Sequence, residues 1–538
     1  VAGLAAAFGS GAMTNPLNDV LNSKVILLTG TNTTVNHPII GNYIHEAVTK
    51  NGAKLIVVDP RRIKLVDIAH LWLRPRVGTN VAWINGLMNV IINENLQAQT
   101  YIDERTTGFE ELKECVAKYT PDYVSEITGI PAEDIISAAR VYGKESPGSI
   151  LYAMGITQHT SGTNNVKCLA ALSMLCGNVG VKGGGVNPLR GQNNVQGACD
   201  MGGLPNVFTG YQVVTDEAVR GKFAKAWNVD TLPDKVGMTV TEMVPAAGKS
   251  IKALYIMGEN PMLSDADSDH VRKCLSALDF LVVQDIFLTE TAKLADVVLP
   301  SACFAEKEGT FTNTERKVLR VRKAVNAPGA ALEDFRIITA IAEKMGYPMD
   351  YLDASAVMSE INKVTPSYGG ISYPRIEKEG LTWPCPTTDH PGTPILHVNG
   401  IVKGKGVFFP IEHQASAELP DAEYPFVLTT GRVHAHYHTG TMTRKGRALN
   451  RVCPEALAEI NVKDAESLNV KNGDYVNIVS RRGSIKVKAL VSEITDKGVA
   501  FVPFHFYEAA VNKLTNSALD PVSKIPELKI CAVKIEKA

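Results

Sequence analysis

The pattern that most narrows the fold is a buried strand, a helix and a second buried strand, and it occurs twice. Lys24 to Gly30 (KVILLTG) is a continuous apolar run closed by a glycine, as a strand covered on both faces requires. A polar loop, Thr31 to His37, leads to Pro38 at a first helical position, and a helix is expected over Ile39 to Lys50. Asn51-Gly52 stops it, and Lys54 to Asp59 (KLIVVD) is the next buried strand, with an acid at its carboxyl end. The second copy runs from Ile251 to Met257 (IKALYIM), through Gly258-Glu259-Asn260-Pro261 and a helix over Ser268 to Leu278, to Phe280–Asp285 (FLVVQD). From Gly30 to Asp59 is 29 positions and from Gly258 to Asp285 is 27, so length and order agree. The segments that follow also correspond, Asp67-Ile68-Ala69 and Gly78-Thr79-Asn80 against Ala295-Asp296-Val297 and Gly309-Thr310-Phe311-Thr312-Asn313. A diverged internal duplication with two nucleotide-type sites accounts for this. Such units carry ligands at the carboxyl ends of their strands. Two unrelated units of a common type are the competing reading.

A chain of 538 residues has room for two to four domains. Thr365 to Pro425 holds nine of the 28 prolines and reads as a connecting segment. Beyond Tyr424 come short alternating runs, Tyr475–Val479, Ile485–Leu490 and Val499–Val502, separated by KNGD and RRGS turns. These predict an antiparallel, barrel-like domain. The expected architecture is α/β: two Rossmann-like domains over 1–190 and 191–345, a proline-rich connection over 346–420 and a C-terminal β-barrel over 421–538. The net charge of −1 argues against a dedicated nucleic-acid binder. The uncharged opening run, Val1 to Asn18, has no basic leader, is broken by glycine and asparagine, and is too polar to span a bilayer. Nine scattered cysteines with no C-x-x-C pair suit a reducing, cytoplasmic compartment and lack the clustering of an iron–sulfur or zinc site.

Nine of the 44 glycines fall between Gly177 and Gly203, a density expected to exclude regular helix or strand and to let backbone approach a ligand. Arg190 is the only charge from Gly183 to Cys199 and is flanked by Asn187-Pro188 and by Gln192-Asn193-Asn194-Val195-Gln196. A guanidinium among amides offers paired donors to a small carboxylate; a solvated loop arginine is the plainer reading. Gly30-Thr31-Asn32-Thr33 and Gly258-Glu259-Asn260-Pro261 end strands and can present N–H groups to phosphates, although neither contains G-x-G-x-x-G. Asp59 and Asp285 stand where an acid grips a nucleoside, or simply caps a helix. His434, His436 and His438 would share one face of an extended strand, better suited to hydrogen-bonding a ligand than to metal ligation.

These residues resemble the molybdenum or tungsten oxidoreductases that carry two molybdopterin guanine dinucleotides, and within them the catalytic subunits of formate dehydrogenases. The matching motifs are Val1-Ala2-Gly3-Leu4 with Gly11-Ala12-Met13-Thr14-Asn15, the run Asn187 to Gly202 (NPLRGQNNVQGACDMG), Ala295 to Pro300, Thr310 to Arg316, Thr430-Gly431-Arg432 and His438 to Thr443. The sixteen-residue run around Arg190 is the most specific of them. The resemblance implies one dinucleotide per half, with Asn32, Asp59, Arg61, Thr79 and Asn80 on the first. Gly258, Glu259, Asn260, Gln284, Asp285 and Thr289 would line the second. It places Met154, Gly155, Gln158 and Gln192 near the pterins and metal. Gly431, Arg432, His438, Thr439, Thr441, Asn512 and Lys529, from a barrel of double-psi type, would close over the cofactor.

The resemblance also marks a departure. In the family a cysteine or selenocysteine followed by histidine, a few residues before the equivalent of Val1, ligates the metal, and a 4Fe–4S domain precedes it. Neither is in this sequence, so the chain is expected to be the larger C-terminal part, with no metal ligand of its own. Arg190 is then the expected anchor for formate, the product is carbon dioxide, and electrons pass to an Fe–S or flavin subunit. Another family member such as a nitrate reductase, or a cofactor-free structural subunit of a respiratory complex, are the alternatives.

Overall fold

The computed structural model describes residues 1–538. The chain forms two compact units, one from residues 1–191, 263–268 and 395–538, the other from 192–262 and 269–394.

The first unit holds a five-stranded parallel sheet in the order Leu71–Leu73, Lys54–Val58, Val25–Thr29, Gly148–Tyr152, Val186–Pro188. Its central strands are buried along their length, which is why they read as unbroken apolar runs. Pro38–Thr49 is the first crossover helix, with proline at its start. On the helix Asn80–Asn93 every residue from Val81 to Ile92 is buried, and it packs against Gly162–Leu175 in the largest core cluster of the chain. A helix buried on every face belongs in an interior; its two buried amides, Asn85 and Asn89, donate to the carbonyls of Ile411 and Val116, and each of its large apolar side chains contributes about 1.5–3 kcal/mol by leaving water.

The same unit contains a closed six-stranded barrel, in the order Phe426–Gly431, Val499–Pro503, Leu457–Asn461, Ser484–Ser492, Tyr475–Val479, Cys531–Lys537. Its pairing is mixed rather than wholly antiparallel. Phe426–Gly431 runs parallel to Val499–Pro503, and Leu457–Asn461 parallel to Ser484–Ser492. Alternating burial records which face of a strand is covered and is silent on the direction of its neighbour.

The second unit carries a three-stranded parallel sheet, Val297–Pro300, Phe280–Asp285, Ala253–Met257. This order and direction repeat the first three strands of the five-stranded sheet, and the helix Ser268–Leu275 ends three residues before the expected stop. A hairpin, Gly309–Thr312 with Lys317–Val321, is extended by Leu381–Thr382. The proline-rich region is not structureless. Up to Pro394 it belongs to this unit, with a helix at Ala354–Val364 and Tyr368, Trp383 and Cys385 buried; from Ile395 onward it belongs to the first unit.

The glycine-rich stretch also departs from expectation, since it contains the strand Val186–Pro188 and the helix Val195–Asp200. The glycines sit mainly at the turns between them: Gly177, Gly180, Gly183, Gly185 and Gly202 have positive φ. A tighter constraint joins Gly30 and Gly155. The Gly155 N–H donates to the Gly30 carbonyl at 3.0 Å, and a Cβ on Gly155 would lie 2.6 Å from the Gly30 Cα. Gly155→Ala is therefore expected to cost about 1–3 kcal/mol, read as a lower denaturation midpoint; an unchanged midpoint would show that the two turns separate freely.

Candidate active site

The residues singled out in the first unit gather where the parallel strands end. Asp59 follows the strand Lys54–Val58, is buried, and accepts the Arg61 N–H at 2.9 Å. Burial pushes its carboxyl up to about 6, against the pull of the Arg61 N–H and charge, Lys529 and Arg74. Arg61 turns its side chain to the barrel. It donates to Glu459 at 2.7–3.0 Å in a forked pairing, with its guanidinium 3.6 Å from the Phe501 ring centroid. Asn32 opens the short helix Thr33–Asn36 and accepts from Thr34 Oγ1 at 2.9 Å. Thr79 and Asn80 begin the buried helix Asn80–Asn93. Their side chains are engaged locally, Thr79 donating to the Arg76 carbonyl and Asn80 accepting from Trp83 Nε1. Met154, Gly155 and Gln158 lie on the turn after Gly148–Tyr152, with Met154 exposed.

Arg190 follows the edge strand Val186–Pro188 and is half-buried. The Leu189 N–H donates to the Tyr152 carbonyl at 2.8 Å, and the Arg190 charge partly offsets the burial that raises the Tyr152 phenol. His37 Nε2 stands 2.7 Å from the Arg190 carbonyl. A carbonyl can only accept, so Nε2 carries the proton and Nδ1 is left as an acceptor. That Nδ1 is buried without a partner, as are the hydroxyls of Thr31 and Thr33, the side-chain oxygen of Asn36 and Nδ1 of His159. Nothing in the sequence marked His37 or His159. Their signal is the pairing of a buried imidazole with a backbone carbonyl, His159 on Gly155 at 3.0 Å.

From the barrel come Arg432, His438 and Lys529. Burial lowers the Arg432 pKa. His438 is held down to about 4 by burial and by Arg432, so it is a neutral imidazole at ordinary pH. Lys529 donates to the Thr430 carbonyl at 2.7 Å. Burial, then the charges of Arg432 and Arg61, lower its pKa to about 7 despite Asp59. Gly431 lies against Phe501, where a Cβ would come within 2.5 Å of the ring. Thr439 and Thr441 share a hydrogen bond of 2.9 Å. Asn512 donates to the carbonyls of Leu263 and Ser264 at 2.9 and 3.0 Å, and its oxygen has no partner. The three histidines do not share a face. The chain turns through 433–442, leaving His434 exposed, His436 buried against the Cys453 carbonyl at 2.6 Å, and His438 at a φ of 48°.

In the second unit, Gly258 adopts positive φ and donates to the Gln284 carbonyl at 2.8 Å; Glu259 beside it is exposed. Other side chains here are occupied by the protein. Asn260 accepts from Thr291 Oγ1 at 2.8 Å and donates to Glu290, Gln284 binds Tyr255 and Asp334, and Thr289 accepts the Ala292 N–H. Asp285 is buried and its carboxyl raised by desolvation. Gln192 is half-buried and opens this unit.

Lys529 thus lies close to Arg432 and to the Glu459-paired Arg61 at the carboxyl edge of a parallel sheet, in the same unit as buried polar atoms that lack partners. Such a cradle is unfavourable by itself and favourable around a polyanion with polar edges. Residues 4–344 match the molybdopterin oxidoreductase family, and 426–532 match the molybdopterin dinucleotide-binding domain. The chain belongs to the molybdopterin oxidoreductases. Among the relatives of this oxidoreductase is the F420-dependent formate dehydrogenase subunit alpha of Methanocaldococcus jannaschii, 55% identical over all of this chain and 80% of that protein. Formate dehydrogenase H of Escherichia coli is 41% identical over the whole chain and 76% of its own length. The assimilatory nitrate reductase catalytic subunit of Bacillus subtilis is 38% identical over 97% of the chain and 76% of its own length. The fold is that of acetylene hydratase from Pelobacter acetylenicus, with a TM-score of 0.80 at 22% identity over 100% of this chain and 80% of that one. No helix of this oxidoreductase is long and apolar enough to cross a membrane.

The cation cradle gives a pH test. The native pKa of Lys529, about 7, lies below the roughly 10.4 of an unfolded lysine. Between those values the unfolded chain binds the extra proton, so stability rises with pH across the window. Prepared without cofactor, wild type is expected to gain thermal stability from pH 7 to 10 relative to Lys529→Met, which is expected to be the more stable of the two at pH 7. Parallel pH curves for the two proteins would rule the charge cradle out.

Proposed function

We propose that this oxidoreductase is the catalytic alpha subunit of a formate dehydrogenase. It oxidises formate to carbon dioxide, or runs the reverse, on bis-molybdopterin guanine dinucleotide with molybdenum or tungsten. What carries the reading is Arg190, at the carboxyl edge of the parallel sheet and in the same unit as the dinucleotide-binding barrel. The 55% identity to a formate dehydrogenase alpha subunit supports it. When bound, the metal–pterin group supplies the acceptor for the two electrons released from the formate C–H bond.

The chain's own part is binding and orientation. Arg190 grips the formate carboxylate through paired N–H donors, and the His37 contact to its carbonyl fixes the backbone behind it. Asn32, Asp59, Arg61, Thr79 and Asn80 hold one dinucleotide. Gly258, Glu259, Asn260, Gln284, Asp285 and Thr289 hold the other, largely through main-chain groups where the side chains are already engaged. Met154, Gly155, Gln158 and Gln192 face the pterins, and Gly431, Arg432, His438, Thr439, Thr441, Asn512 and Lys529 close the barrel side. His438, neutral at working pH, acts as a hydrogen-bonding group rather than a cation. Electrons leave to a 4Fe–4S cluster outside this sequence and then to an Fe–S or flavin subunit in the cytoplasm.

The test is formate-dependent reduction of a viologen dye by the purified enzyme, with acid-released guanosine monophosphate and molybdenum or tungsten measured on the same sample. Guanine, metal and formate turnover together are expected. A loaded protein that reduces nitrate and ignores formate would make it a nitrate reductase. Absence of both guanine and metal would favour the structural subunit.

A further inference from the structure

The strand Phe426–Gly431 and its parallel neighbour Val499–Pro503 leave the barrel at the same end, with Gly431 paired to Pro503. The first feeds the 432–442 turn, the second the tripeptide Phe504-His505-Phe506. His505 is fully buried. Its Nε2 accepts the Val433 N–H at 2.9 Å, which settles the tautomer: the proton is on Nδ1, and Nδ1 donates to the His438 carbonyl. One imidazole therefore ties two points of the turn, Val433 directly after Arg432 and His438 itself.

Its neighbours complete the grip. The Phe504 ring lies 5.6 Å from the Arg432 guanidinium and edge-on to the His438 ring at 5.5 Å, while Phe506 meets His436 edge-on at 5.3 Å. Gly440 approaches so closely that a Cβ there would sit 2.6 Å from the His505 carbonyl. Burial keeps the imidazole neutral, as the Val433 contact requires.

We propose that His505 is a positioning residue, whose two ring nitrogens set the turn that presents Arg432 and His438 to the cofactor. This rests on the reading of that turn as cofactor-facing. No other side chain spans both contacts, because an asparagine amide reproduces only the donor and a glutamine carbonyl only the acceptor.

The experiment compares His505→Ala, His505→Asn and His505→Gln in the full enzyme. The first readout is guanine nucleotide retained per chain after gel filtration, taken without substrate; thermal midpoint and formate turnover are measured in parallel. We expect His505→Ala to lose at least fivefold of the nucleotide, with Asn and Gln losing less. Turnover per bound guanine falls in the same order. A folded His505→Ala with the wild-type complement overturns the proposal. So do Asn and Gln variants no better than a folded Ala, or, should Ala not fold, Asn and Gln both at the wild-type complement. A second readout needs neither cofactor nor activity. The 15N spectrum of histidine-labelled chain should show His505, assigned by its loss in the Asn variant, as the Nδ1–H tautomer; the Nε2–H form overturns the proposal. Wild type that holds guanine yet ignores formate defeats the reaction assigned above and leaves His505 standing.

Discussion

Replacing Arg190 by alanine is expected to lower formate turnover by more than tenfold in an enzyme that still folds and still holds its dinucleotides. Formate is a carboxylate with no other handle, so its orientation depends on whatever cation meets it. A hydrogen bond to a charged group contributes about 1.5–3 kcal/mol net, and each 1.36 kcal/mol is about a factor of ten in rate. Two such bonds from one guanidinium place the loss well beyond tenfold, with part of it in the KM for formate. Arg190→Lys keeps the charge but not the fork, so it is expected to fall between alanine and wild type. Steady-state kinetics on preparations matched for metal and guanine content check this. Turnover of Arg190→Ala equal to wild type at full loading would remove the residue from the reaction.

The second large effect concerns stability. Asp200 closes the helix Val195–Asp200, is 1% exposed, and accepts four hydrogen bonds, from Gln196 Nε2 at 2.8 Å, Tyr211 OH at 2.9 Å, and Tyr368 OH and Trp383 Nε1 at 2.6 Å each. Tyr368 also meets Thr312 Oγ1 at 3.0 Å, and the Thr312 N–H donates to Asn194 Oδ1 at 2.9 Å. One carboxylate thus ties the helix Val195–Asp200 to the segment that carries Tyr368 and Trp383 and, through Tyr368, to the hairpin. Asp200→Ala strands several buried donors at once, and breaking a buried network of this kind costs about 3–5 kcal/mol. A large fall in the urea midpoint is expected, with Asp200→Asn intermediate because its oxygen still accepts. A fall under about 1 kcal/mol, the scale of a surface contact, would mean that water replaces the carboxylate.

Different parts of this molecule were readable to different degrees, for identifiable reasons. The strands of the five-stranded sheet were legible because two-sided burial leaves an unbroken apolar run, as at Val25–Thr29; Ala253–Met257 reads the same way from its sequence, yet Ala253, Tyr255 and Met257 are exposed, so burial was over-read in the second unit. The helix Pro38–Thr49 was legible from its opening proline and the Asn51-Gly52 stop. The histidine alternation misled because it assumed extended backbone, whereas the chain turns from Val433 and places His438 at positive φ. The glycine count misled in a similar way: it was read as excluding regular structure, whereas a strand and a helix form there and the glycines of positive φ turn the chain around them.

Local periodicity and contiguous motifs were enough to read the two β-α-β units, the presence of a terminal barrel and the family from the residues alone. The mixed direction of the barrel strands, the closeness of Lys529 to Arg432 and to Arg61, and the seats of His37, His505 and Asp200 emerge only once the chain is folded. Those depend on contacts between residues tens to hundreds of positions apart. Many are made to backbone N–H and C=O groups, which every residue carries alike and which therefore leave no trace in side-chain order.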